Sequence, residues 1–320
     1  MNREKGMPQF DVTVAGLVIL DALAVPVTEI PDRGTVDFVD QIRFTVAGPA
    51  GGTAVDCAKL GLRTSLVGVV GDDDAGFMIR RLLKRNGVNR MYLRVAKGMR
   101  TSSSIVFVRS DGERPAVHAR GSSDYLWAGD FSTDVYSAKV FHMGGTGLLK
   151  SLDGAPTQAV LAAAQEFGCI TTFDLVGARE RARENVLMLL PHIDYFLPSV
   201  EEARVLSGYT DVDDVASFFL DQGVGTCVFT LGSGGAIVAA KGVRFKVPAH
   251  QVNVVDTTGC GDAFSAGFIA GLVRGYDWEL SASLGNACAA LVATGLGSDA
   301  GIRDWDQVWS VMKTWPLKAL

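Results

Sequence analysis

Residues 12–20, VTVAGLVIL, form an unbroken apolar, β-branched run, the pattern of a strand buried on both faces of a parallel sheet. Two later stretches read differently. Residues 34–46 (GTVDFVDQIRFTV) alternate polar and apolar positions. So do residues 102–108 (SSSIVFV), which pass through a turn at Ser110, Asp111 and Gly112 to a run ending near His118. A period of two predicts antiparallel strands with one wet face. Between them lie a helical stretch at 51–60, a strand at 64–70 and a second helix at 75–85. From about residue 139 the rhythm becomes regular. Strands are predicted at 140–143, 170–174, 195–197 and 226–231, with helices at about 155–167, 179–190, 200–207 and 212–222. Alternating strand and helix implies a doubly wound α/β domain, a mostly parallel sheet with helices on both faces. The antiparallel pieces then form a small second sheet that projects from it as a lid. The expectation is one domain over residues 1–320, with lid strands inserted at about 22–46 and 99–121.

Composition narrows the function classes. The chain has 320 residues, 48% of them hydrophobic, and a formal net charge of −5, so it carries no electrostatic footprint for nucleic acid. Five scattered cysteines (Cys57, Cys169, Cys227, Cys260, Cys288) without a C-x-x-C pair predict reduced thiols in a cytoplasmic protein. The four histidines show no metal-ligand spacing. The start, MNREKGMPQF, reads as a frayed terminus with no signal peptide and an alternative start at Met7. No apolar run reaches the length of roughly 18 residues that a membrane span needs, so a soluble protein is expected.

The richest chemistry lies in DTTGCGDAFSAGF, residues 256–268. Gly259-Cys260-Gly261 follows an extended stretch and opens a helix, where unpaired N–H groups and the positive end of the helix dipole favour an anion. Glycines let that backbone close around phosphate oxygens. Asp262 comes directly after the turn. It reads either as a base taking a proton from an attacking hydroxyl or as a plain N-terminal capping residue. Ala266, Gly267, Ala270 and Gly271 offer small surfaces for close helix packing.

This stretch resembles the C-terminal signature D-T-x-G-x-G-D of the ribokinase-like (PfkB) carbohydrate kinases. By that resemblance Gly259, Cys260 and Gly261 supply anion-hole amides and Asp262 is the catalytic base. Cys260 stands where the family usually has alanine; a reactive thiol at a helix N-terminus is the lesser alternative to a passive small residue. The resemblance extends over nearly the whole chain. Residues 47–76 (AGPAGGTAVDCAKLGLRTSLVGVVGDDDAG) look like the family's N-terminal signature, with Gly68, Gly71, Asp73 and Gly76 closing it. Its glycine pair is here Ala47-Gly48 and its sugar-contacting Asn is Gly52, which puts substrate identity in doubt rather than the fold. Gly48, Gly51 and Gly52 are therefore the candidate substrate loop, together with Asp21, which matches the family's early sugar-binding Asp.

LPSVEEARVL, residues 197–206, resembles the family's P-N-x-x-E element near the triphosphate. Glu202 takes the place of the Glu linked to magnesium through water, and Ser199 replaces the Asn. Read by itself, S-x-x-E is a capping box. TLGSGGA resembles the nucleotide loop and contributes Thr230, Gly232 and Gly235; Asn286 matches a position beside the adenine. The resemblance also implies a monovalent cation such as potassium near backbone oxygens of Asp256 and Thr258, and a homodimer formed through the lid.

The expected reaction is transfer of the γ-phosphate of magnesium-ATP to a hydroxymethyl group of a sugar held under the lid. A nucleoside kinase of the same family is the near alternative, and a catalytically inactive sugar-binding regulator the more distant one. An NAD-binding oxidoreductase is excluded, because GLVILDALA follows the first strand in place of G-x-G-x-x-G. His118, Arg120 and Arg179 are candidates to meet an anionic acceptor.

Overall fold

The structure, a computed structural model, describes residues 7–110, 113–177 and 182–319. In chain order the elements are β1 (Phe10–Gly16), β2 (Ile19–Val25), β3 (Gln41–Ala47), α1 (Gly51–Lys59), β4 (Thr64–Gly71), α2 (Asp74–Arg85), β5 (Leu93–Ala96), β6 (Ser103–Phe107) and β7 (Ala116–Ala119). There follow β8 (Ala138–Thr146), α3 (Ala155–Glu166), β9 (Ile170–Leu175), α4 (Arg183–Leu187), β10 (Tyr195–Phe196), α5 (Val200–Ser207), α6 (Val212–Asp221), β11 (Thr226–Thr230), β12 (Ala236–Ala240), β13 (Val243–Val247), α7 (Cys260–Val273), α8 (Trp278–Ala293) and α9 (Trp305–Thr314).

Among the described residues the main sheet runs β13-β12-β11-β10-β9-β8-β1-β4-β5, parallel except for the β11–β12 and β12–β13 pairs. The apolar runs that lack alternation are the central strands, buried on both faces: every residue of β4 and all but one of β8 are buried. One core cluster packs Phe141, Phe173, Phe196, Phe219 and Phe229, and a second joins Val12, Val14, Leu66 and Val70 to α1, α7 and α8. Among the described residues, four helices start where a carboxylate caps them: Asp73 for α2, Asp211 for α6, Asp277 for α8 and Asp304 for α9. The small residues of α7 do permit close packing, since a Cβ on Gly267 would lie 2.6 Å from Leu284 O.

Several expectations need correction. Residues 12–20 are two strands in two sheets. At Gly16 (φ 133°) the chain crosses the end of β8, so closely that a side chain would collide with Gly144 O, and β2 then enters the small sheet. Of residues 34–46, only 41–46 are strand, and Val36 and Phe38 before them are exposed. The small sheet has the order β3-β2-β6-β7, and its central pair β2–β6 is parallel, because β2 arrives from the main sheet rather than from a hairpin. The helix expected at 179–190 is the shorter α4, followed by a 3-10 turn at Leu190–His192 where Pro191 withholds a donor. Residues 179–181 lie outside the described residues, as do Asp111 and Gly112 of the expected turn. Among the described residues no helix is long and apolar enough to cross a membrane.

Candidate active site

The chain just after β1 meets the start of α1, where Ala50 N and Gly51 N donate to Leu17 O, and the end of β8 lies against Pro49. Asp174 of β9 and Asp21 of the small sheet are within electrostatic reach of Asp262 in α7. Gly259 is the N-cap of α7 in the left-handed region (φ 81°), with Ser298 packed so closely that a side chain there would fall 2.3 Å from Ser298 Cβ. The turn is anchored from below by Asp256, which is buried. Its Oδ1 accepts from Thr258 N at 2.9 Å and Thr258 Oγ1 at 2.7 Å, and its Oδ2 from Gly297 N at 2.8 Å. Gly261 is exposed, with nothing near the space a Cβ would take, and its amide belongs to the first turn of α7, where N–H groups have no partner within the helix. The Cys260 amide leans to Thr257 O at 3.3 Å.

Asp262 sits half-buried in the first turn of α7, and Thr53 Oγ1 donates to its backbone oxygen at 3.2 Å. Burial, followed by the Asp21 carboxylate, pushes its pKa up to about 7; the Arg114 guanidinium opposes the rise and Glu202 adds to it. Asp21 lies inside β2, 6% exposed, with Oδ1 lacking any partner. Burial raises it to about 6, against a hydrogen bond from Ser104, and the Asp256 charge adds to the rise. These shifts leave both carboxyl groups able to exchange protons near neutrality.

Gly48, Gly51 and Gly52 carry the chain under this pair. Gly48 O accepts from Gly52 N at 2.8 Å, Gly51 packs against Val46 and Val18, and Gly52 faces the Asp262 carboxylate directly. Cys260 Sγ is turned to Ala289 O at 3.5 Å, and burial pushes its thiol up to about 12. A protonated thiol facing a carbonyl is a passive filler, which removes the reactive-cysteine alternative.

Ser199 and Glu202 form the capping box of α5: Glu202 N donates to Ser199 Oγ at 3.2 Å, and Glu202 Oε2 accepts from Ser199 N at 3.1 Å and Ser199 Oγ at 2.8 Å. Glu202 Oε1 accepts from Gly177 N at 2.9 Å. Its charge nonetheless reaches Asp262 and Asp174. Thr230 ends β11 and bridges to Ser199; Gly232 opens the 3-10 turn after it, and Gly235 lies against Val247 O. Asn286 is buried, its Nδ2 donating to Val247 O at 3.1 Å and Pro248 O at 3.0 Å, so its amide group ties α8 to the chain after β13.

Three residues of the site carry no mark in the motifs. Asp174, buried at the end of β9, is raised well above the ordinary carboxylate range by burial and then by Glu202 and Asp262. Arg114, just before β7, reaches from the small sheet to Thr257 Oγ1 at 2.7 Å. Its place beside an Asp-Gly turn between two alternating stretches is the only signal. Asp56 lies one turn beyond Gly52, fully buried with neither carboxyl oxygen partnered. Of the candidate anion contacts, Arg120 is committed to Asp124 at 2.8 Å and His118 Nδ1 pairs with Ser104 Oγ at 3.1 Å; Arg179 lies outside the described residues.

Comparison with known proteins agrees with this geometry. A family model described as pfkB family carbohydrate kinase matches residues 10–305. A probable fructokinase-4 of Arabidopsis thaliana is 31% identical over 303 residues, covering 89% of this chain and 93% of the relative. An ATP-dependent 6-phosphofructokinase of Thermoanaerobacterium thermosaccharolyticum is 25% identical over 95% of this chain and 94% of its own. In fold, a putative ribokinase II from E. coli in complex with ATP and magnesium superposes with a TM-score of 0.82 at 22% identity, over 95% of this chain and 99% of that one.

Proposed function

The chain belongs to the pfkB family of carbohydrate kinases, and on that premise we propose that it transfers the γ-phosphate of ATP to a hydroxymethyl group of a neutral sugar. The observation that carries the reading is the placement of Asp262, raised to about 7, in the first turn of α7 directly after the exposed Gly261. Asp21 orients the acceptor through its unpartnered oxygen. Asp262 takes the proton of the hydroxymethyl group, whose oxygen attacks the γ-phosphorus in line as the bond to the ADP oxygen breaks. The amides of Gly259, Cys260 and Gly261 receive the charge that develops on the transferred group. Magnesium, when bound with ATP, offsets the charge on the phosphates. Oxygen donors suit it, and Glu202, whose oxygens are already hydrogen-bonded within the protein, would hold it through water beside Asp174.

Thr230, Gly232 and Gly235 frame the nucleotide groove, with Asn286 shaping its wall. The small sheet acts as a lid that excludes water, which would otherwise compete as acceptor. Arg120 and His118 are engaged by Asp124 and Ser104, and the fructokinases among the relatives favour an uncharged acceptor, with Arg114 reaching the site from the lid. Scattered cysteines without a C-x-x-C pair suit a reducing compartment such as the cytoplasm. On the lid, Ile42, Phe44, Ile105 and Val117 are all exposed, and the strand register puts Phe44 and Ile105 on either side of Ala22 with Val117 beyond. This apolar face is where a second copy docks. A coupled ADP-release assay over ketohexoses, aldohexoses, pentoses, sugar phosphates and nucleosides tests the reading. Turnover confined to a neutral sugar supports it; turnover on a sugar phosphate or nucleoside alone moves the assignment, and none on any acceptor opposes it.

A further inference from the structure

The chain that leaves the C-terminus of α8 is bound to the anion-hole turn at two points. Gly297 N holds Asp256 Oδ2, and Ser298 packs against Gly259. Whatever fixes residues 296–299 therefore fixes the turn. A monovalent cation near backbone oxygens of Asp256 and Thr258 would be one such device; the Asp256 carboxylate itself is engaged by Thr258 and Gly297. The neighbouring carbonyls are met by the protein's own cations. From β3, Arg43 donates to Leu296 O and, at 2.7 Å, to Asp299 Oδ1. From the last turn of α1, Lys59 Nζ donates to Asp299 O. Thr45 Oγ1 adds a bond to Asp299 Oδ1 at 2.7 Å, and Ser298 Oγ donates to Val46 O at 2.8 Å. The Asp299 side chain is 5% exposed. Carbonyls just past a helix C-terminus carry the negative end of the dipole, so two fixed cations there are electrostatically well placed.

We propose that Arg43 and Lys59 serve as built-in cations that position the anion-hole turn, so that the kinase works without an added monovalent cation. Because Arg43 belongs to the lid sheet, the same clamp ties lid position to the turn that receives the phosphate. The inference rests on the kinase reading above, and its test separates the two. Turnover is measured with magnesium-ATP and the best sugar in potassium chloride and in choline chloride at equal ionic strength. The wild type is expected to differ by less than about twofold between the salts. Lys59→Met and Arg43→Met are expected to lose about tenfold or more in kcat in choline, with KM little changed. Potassium or ammonium is expected to restore part of the lost rate in Lys59→Met, a rescue that a purely structural residue would not show. A wild type that needs potassium by about tenfold overturns the proposal, as do variants, folded by their melting curves, that keep full kcat in choline. No turnover in either salt counts against the kinase reading instead. The clamp is then judged by calorimetric titration with ATP: equal affinity in both salts supports it, and affinity only in potassium overturns it.

Discussion

A Cβ placed on Gly52 would lie 2.7 Å from Oδ2 of Asp262, closer than real side-chain contacts come. The proposed base therefore occupies space that exists only because residue 52 has no side chain. Gly52→Ala should displace the Asp262 carboxylate, the flexible member of the contact, while leaving the fold intact. The expected result is a fall in kcat of about tenfold to a hundredfold, the scale of a misplacement near 1 Å, with a small change in Tm. Steady-state kinetics and thermal melting on the same variant check it.

The pH profile follows from the same carboxylate. Asp262 must be ionised to accept a proton, and its pKa stands at about 7, so kcat/KM should rise tenfold per unit below pH 7 and level off above it. The Asp21 charge is part of what raises that value. Asp21→Asn should therefore move the rising limb to lower pH, besides raising KM for the sugar. An unmoved midpoint would contradict the electrostatic link.

Asp56 is a buried carboxyl without a hydrogen bond, held well above the ordinary range by burial, with Lys59 opposing and Asp299 and Asp262 adding. Between its unfolded pKa near 3.9 and its folded value, the native state holds a proton that the unfolded state has released. Stability from this group is therefore full at low pH and is lost as pH rises. Asp56→Ala should remove this group's share of the decline, so that stability falls less steeply as pH rises above about 4. Urea unfolding at several pH values reads this.

The apolar lid face makes a prediction of its own. Ile105→Lys with Phe44→Lys should convert a dimer to a monomer in sedimentation equilibrium, with little loss of Tm, because both side chains are about half exposed in the single chain. A wild type that sediments as a monomer at micromolar concentration would remove the dimer.

The alternation of strand and helix from residue 139 onward is legible in the amino-acid order because buried parallel strands and amphipathic helices differ in period. Residues 12–20 mislead because β1 and β2 are apolar on both sides of Gly16; the change of sheet leaves no mark in hydropathy. The short β5 has no distinctive run to announce it, whereas the β12–β13 hairpin is written in the apolar AIVAA, the Lys241-Gly242 turn and the alternating VRFKV, a signal left out of the strands predicted above. At the site, motif spacing identifies the Gly259–Asp262 turn and the pairing of Ser199 with Glu202. It does not reveal that Asn286 is committed to Val247 and Pro248, or that Arg114 and Asp174 converge on the turn. Those are tertiary facts, assembled from segments far apart in the chain.

The most direct test is Asp262→Asn, assayed for ADP release with magnesium-ATP and the best sugar, with ATP affinity measured by calorimetry on the same preparation. The account predicts a loss in kcat of about a hundredfold or more, unchanged ATP affinity, and loss of the pH dependence near 7. A variant that retains kcat within a few-fold of wild type would show that Asp262 only caps its helix, and that the proton goes elsewhere.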